Sequence, residues 1–77
     1  MEKVEHMTGT PDVHYNLISV LYHTLQGAET CVQYLKDAEQ AGDQELASFF
    51  RDVQEEDRQR AERAKMLLRQ RLSGVAT

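Results

Sequence analysis

Two carboxylates and a guanidinium lie close together in the second half of the chain, where their types and spacing could do chemistry. Asp57 and Arg60 are three residues apart, and Glu56 directly precedes Asp57. On a helix, Asp57 and Arg60 would share one face. Carboxylates bind hard cations such as iron, manganese or magnesium, whereas a guanidinium cannot bind a cation and pairs with carboxylates instead. Asp57 and Arg60 therefore predict a buried ion pair.

Glu29, in the first half of the chain, is a third carboxylate that a central site could use. If the chain folds back around Gly42 and Asp43, Glu29 lies level with Glu56. A single buried charge is costly, so each of these groups must meet an opposite charge, a bound ion or water. Two hypotheses follow. The first is an ion-pair network of Asp57 and Arg60, and the second is a metal site built from Glu29, Glu56 and Asp57 of two copies.

Two long helices are the elements that must position these residues. The segment Thr10-Pro11-Asp12 is typical of a helix start, and no proline follows it. Gly42 can end a helix in the left-handed conformation, and Asp43 can cap the next helix. The sequence thus predicts a helical hairpin over 10–72, with helices over about 11–41 and 44–72, and flexible tails over 1–9 and 73–77.

Apolar residues at alternating spacings of three and four give each predicted helix a packing stripe. On the first helix this stripe is Leu17, Leu21, Thr24, Ala28, Cys31, Leu35 and Ala38. On the second helix it is Leu46, Phe50, Val53, Asp57, Arg60, Ala64 and Leu67. Further apolar residues lie beside the first stripe, namely Tyr15, Ile18, Tyr22, Leu25 and Val32. Both faces are therefore wider than one partner helix can cover.

The predicted fold class is all-α, an antiparallel two-helix hairpin that self-associates into a four-helix bundle. Two helices of this size cannot bury enough apolar surface to offset the ordering of their chain. The simplest partner is a second copy related by a two-fold axis. We therefore expect a homo-oligomer, at least a dimer.

The hairpin resembles one half of the ferritin-like superfamily, of the rubrerythrin and bacterioferritin type. The resemblance is carried by the turn 41–46, by the pair Phe49-Phe50 and by the acidic stretch 54–57 that runs into 58–62. It implies a ferritin-like bundle, in which a Glu and a Glu-x-x-His supply each half of a di-iron site. Asp57 falls where the family has this second Glu and Arg60 where it has the His, so the resemblance implies a site whose metal motif is not retained.

His14, His23 and Cys31 are the remaining residue types with chemical potential. The two histidines are nine residues apart and point to opposite sides of a helix, so we expect both to face solvent or cap the helix. Cys31 falls in the first stripe, where a free thiol behaves as a small hydrophobic residue. A disulfide across a dimer axis and a redox-sensing thiol are the alternatives for Cys31.

Composition and charge narrow the function classes. The net charge is −4, and no aromatic residues lie among the basic ones of the second helix, which disfavours a nucleic-acid partner. The chain has no membrane-spanning run, no signal-peptide pattern and a single cysteine, which predicts a cytoplasmic protein.

No set of nucleophile, base and acid side chains for nucleophilic catalysis can be assembled from the sequence. We expect a non-enzymatic assembly or interaction module without a cofactor; the alternative is a carboxylate-rich protein that binds iron or manganese.

Overall fold

The computed structural model describes residues 9–74, which form two α-helices and no strand. Helix α1 is Asp12–Gln40 and helix α2 is Gln44–Gly74. The two helices pack against each other along their length as a hairpin, which confirms the predicted all-α class. Ser73 and Gly74 belong to α2 rather than to a tail, and the tail segments 1–8 and 75–77 lie outside the described residues. Neither described helix has a stretch long and apolar enough to cross a lipid bilayer.

The chain reverses direction in a three-residue turn whose hydrogen bonds satisfy both helix ends. Gly42 has a φ of 73°, and its amide donates to the Glu39 carbonyl at 3.1 Å while the Asp43 amide donates to the Ala38 carbonyl at 3.0 Å. These two bonds form a Schellman motif. The Asp43 carboxylate accepts a hydrogen bond from the Leu46 amide at 3.0 Å, so it caps α2. The predicted roles of glycine and aspartate at this turn are confirmed.

Small side chains build the contact between α1 and α2. Cys31 and Ala38 on α1 are buried, as are Ala47, Ala61 and Ala64 on α2. Small residues allow the two helices to approach closely, because no long side chain separates their backbones. Most of the large apolar side chains lie beside the contact, and none of those in the described residues is fully buried.

The contact stripe of α2 differs from the predicted one. Leu46 is 43% exposed, whereas Ala47, one residue later, is 2% exposed. Arg60 is likewise exposed while Ala61 is buried. The observed stripe is Ala47, Phe50, Gln54, Asp57, Ala61, Ala64 and Leu68. The predicted stripe shares Phe50, Asp57 and Ala64 with the observed one. It was wrong at Leu46 and Arg60, because the alanine that follows each of them is the residue buried in the contact.

The contact stripe of α1 is the predicted one, with one addition. Thr24, Cys31 and Ala38 are buried. His14 is also buried, so the expectation that it faces solvent or caps the helix was wrong. It lies seven residues before Leu21 and continues the same spacing toward the start of the helix. His23 is exposed, as expected, and its Nδ1 lies 2.9 Å from the Ser19 carbonyl oxygen.

Candidate functional site

Asp57 and Arg60 form the predicted ion pair near the middle of α2. Arg60 Nη1 donates to Asp57 Oδ1 at 2.8 Å. The side chain of Asp57 is 14% exposed, and that of Arg60 is 52% exposed. In the single hairpin, the pair therefore spans the edge of the helix contact instead of lying buried inside it, because Arg60 lies next to the observed contact stripe and not in it.

The inner member of this pair, Asp57, packs against a glycine of the facing helix. Asp57 Oδ2 lies 3.8 Å from the position that a Cβ atom on Gly27 would take. This distance is an ordinary van der Waals contact, so the missing side chain leaves room beside the carboxylate. Gly27 and Asp57 thus lie opposite each other near the middle of the two helices.

Cys31 lies one turn further along α1 and is held as a neutral thiol. Its burial raises the pKa of the thiol, and the negative charge of Asp57 raises this pKa further. The thiol also donates a hydrogen bond from Sγ to the Phe50 carbonyl at 3.4 Å. A protonated thiol is a weak nucleophile, so the environment of Cys31 suits packing better than redox chemistry.

The other two predicted ligands, Glu29 and Glu56, are exposed side chains. Among the described residues of one chain, no three acidic, histidine or cysteine side chains are grouped so that they could hold a metal ion. A single hairpin therefore does not assemble a site from Glu29, Glu56 and Asp57. A site shared between two copies stays a prediction.

Two shallow grooves between the helices expose apolar side chains on one side of the hairpin. Val13, Val20 and Leu67 line one groove, and Tyr34 and Leu46 line the other. These positions repeat at multiples of seven residues on each helix, so they lie on one side of the hairpin. We call this surface the groove face, and its residues are Val13, Val20, Tyr34, Leu46, Val53 and Leu67. The pair of Asp57 and Arg60 lies at its centre, because Arg60 is seven residues from both Val53 and Leu67.

Aromatic side chains enlarge the groove face at the turn end of the hairpin. The ring centroids of Tyr34 and Phe50 are 5.7 Å apart across the two helices, and those of Phe49 and Phe50 are also 5.7 Å apart. Phe50 is half-buried, whereas Phe49 is 57% exposed. This end therefore offers bulky apolar side chains, while the other end of the groove face offers mainly valines and Leu67.

A second apolar surface, the α1 stripe, lies on the other side of the hairpin. It consists of Tyr15, Ile18, Tyr22, Leu25 and Val32, and all five side chains are about half exposed. On this side α2 contributes mainly charges, with Leu72 as the apolar residue of the same series. Arg51 of α2 pairs with Glu39 of α1 at 3.3 Å, and Arg58 and Lys65 pair with glutamates of their own helix. The groove face is the side on which both described helices contribute several large apolar side chains, although Arg71, Asp37 and Asp43 also line its grooves.

The fold and this surface define a small α-helical hairpin whose two helices present one joint apolar face. No protein-family model matches the chain, and comparisons with curated proteins and with solved structures found no match. The function must therefore be inferred from the geometry of the hairpin itself.

Val13 and Val20 belong to this surface but were not singled out from the sequence. The signal was present, since Val13, Val20, Gly27 and Tyr34 follow one another at intervals of seven residues. This series is adjacent to the contact stripe of α1 on the helix surface. Three of its four members are small or medium-sized, and this modest apolar content is easily missed beside the leucines of the main stripe.

Proposed function

We propose that the protein is a non-enzymatic assembly module whose hairpins associate with each other into a four-helix bundle. One observation carries the proposal: the helices contact each other through alanines and leave most of their large apolar side chains exposed. Covering apolar surface is worth about 25 cal/mol per Å². Extensive exposed apolar surface on the same side of both helices is typical of an interaction site.

A second hairpin is a partner that can cover the apolar side chains that the first hairpin leaves exposed. A chain of 77 residues with so few buried large side chains has a small core of its own, and such small units commonly gain stability by oligomerisation. Packing two hairpins face to face would bury the exposed side chains of both copies at once. Closed two-fold dimers are also the commonest form of homo-oligomer.

The proposed bundle is of the ferritin-like kind, without that family's set of metal ligands. Asp57 supports this view because its carboxylate is already engaged by Arg60 at 2.8 Å. The guanidinium supplies the positive charge that a cation would otherwise bring. The alternative, an iron or manganese site on Glu29, Glu56 and Asp57, needs ligands from two copies. Stoichiometric iron or manganese in the purified protein would favour that alternative.

Sedimentation equilibrium tests the proposal directly. We expect a mass of at least twice the 8.9 kDa of one chain at micromolar concentration. Circular dichroism on the same sample must show the helical content of a folded hairpin. A helical protein that sediments as a single 8.9 kDa chain at this concentration would contradict self-association.

A further inference from the structure

We infer that two copies pair through the groove face, with the turns of the two hairpins at opposite ends of the bundle. This inference rests on the proposed self-association and adds the face and the orientation. The partner is thus a second copy of this chain, related by a two-fold axis perpendicular to the helices.

The choice of face follows from which helices are apolar on each side. A four-helix bundle requires both helices of each hairpin to face the other copy. On the groove face, α1 contributes Val13, Val20 and Tyr34. Helix α2 contributes Leu46, Val53 and Leu67. On the side of the α1 stripe, α2 presents Arg51, Arg58 and Lys65. Packing there would cover three ion pairs, whereas the groove face holds one at its centre.

The area of the groove face matches what a stable dimer needs. A hairpin of two helices with about 30 residues each is about 45 Å long and about 20 Å wide. One face therefore covers about 900 Å², close to the roughly 800 Å² that each partner buries in a standard specific interface. The hairpin is large enough to pair stably through this single face.

The orientation follows from Glu56 and Arg63, which border the groove face on α2. Neither forms an ion pair within the described hairpin. They are seven residues apart, and the point midway between them is also the middle of α2. When the turns lie at opposite ends, α2 packs antiparallel against α2 of the second copy. Each Glu56 then faces Arg63 of the other copy, and symmetry forms this ion pair twice.

The other orientation, with both turns at the same end, gives these charges no partner. In that arrangement α2 packs against α1 of the second copy. The contacts of Gly27 with Asp57 and of Tyr34 with Phe50 fix the register of the hairpin. At this register Glu56 would lie level with Ala28 of the second copy and Arg63 level with Leu21, and neither of these residues is charged. Charge complementarity therefore favours turns at opposite ends.

Arg60 is the one charged side chain in the middle of the proposed interface, and it is already neutralised. Its guanidinium is held at 2.8 Å by Asp57 of the same helix. Covering this pair does not leave an unpaired buried charge, which would be the costly case. Near the two-fold axis, the two pairs would meet as alternating positive and negative groups, and Gly27 leaves space beside them.

The face is tested with Val20→Glu, and Leu25→Glu is its matched control. Val20 lies in the groove face and is 47% exposed, while Leu25 lies in the α1 stripe and is 51% exposed. Both changes place a carboxylate at a half-exposed position near the middle of α1. We expect Val20→Glu to raise the dimer dissociation constant at least tenfold in sedimentation equilibrium and Leu25→Glu to leave it nearly unchanged. Equal effects, or the reverse order, overturn the choice of face.

The orientation is tested with Glu56→Arg, Arg63→Glu and the double variant. Each single change places like charges opposite each other twice, so we expect a several-fold weaker dimer. The double variant restores opposite charges and should recover the parent's dissociation constant. Additive losses in the double variant overturn the orientation. A parent that is already monomeric refutes the proposed function, whereas a dimeric parent whose variants behave otherwise refutes only this inference.

Discussion

At the scale of single residues, the centre of the hairpin brings together a carboxylate, a thiol and a missing side chain. Asp57 packs beside Gly27, and its negative charge helps to raise the pKa of the Cys31 thiol. The guanidinium of Arg60 balances this charge from the solvent side. The carboxylate at the helix contact is thus held by its own helix and does not depend on the facing one.

The Cys31 thiol leads to a prediction about stability and pH. Burial and Asp57 raise its pKa in the folded state, so the folded chain holds this proton more tightly than the unfolded chain. The thiol therefore stabilises the fold below the ordinary thiol pKa, and this contribution is lost as pH rises through the raised value. We expect the parent to lose more stability than Cys31→Ala above about pH 8.5.

Urea unfolding of the parent and of Cys31→Ala at a series of pH values measures this difference. Other groups that titrate at high pH are common to both proteins, so only the difference between the two curves reports on the thiol. Curves that stay parallel from neutral to high pH would contradict the assigned environment of Cys31.

At the scale of the helices, the alanines of α2 determine how closely α1 can approach. Ala47 is buried against α1, whereas its neighbour Ser48 is exposed. A leucine at position 47 would add bulk where two helices already bury the alanine to 2% exposure. We expect Ala47→Leu to lower the free energy of unfolding by about 1–3 kcal/mol, as overpacked contacts do.

Ser48→Leu is the control, because it adds the same side chain one residue away on the exposed side. Its effect should stay within about 0.5 kcal/mol. Chemical denaturation of both variants at one protein concentration provides the comparison. If the two variants were equally stable, the observed contact stripe of α2 would be wrong.

The turn and both helices could be predicted from the sequence because their signals are local. Gly42 and Asp43 act through hydrogen bonds within a few residues, and the pairing of Asp57 with Arg60 is set by their spacing. The rotation of α2 about its axis could not be predicted in the same way. Each residue turns a helix by about 100°, so a stripe drawn through Leu46 instead of Ala47 moved Arg60 from the edge into the contact.

At the scale of the whole molecule, the proposed dimer makes thermal stability depend on protein concentration. Unfolding of a dimer releases two chains, so a hundredfold higher concentration adds about 2.7 kcal/mol. For two chains of 77 residues, this corresponds to a rise in Tm of about 8 °C. Calorimetry or circular dichroism at two concentrations measures this shift. A Tm independent of concentration would indicate a hairpin that folds as a monomer.

The short turn at Gly42 also determines the order in which the hairpin can fold. Contacts next to the turn close the smallest loops and therefore have the lowest entropic cost. Once they form, each contact further along the helices closes a loop that is already shortened. Docking of α1 on α2 should thus proceed from the turn toward His14 at the open end. Since most contacts of the hairpin lie within its helices and are local along the chain, folding of each hairpin should be fast, and in the proposed dimer the joining of two hairpins becomes the slow step.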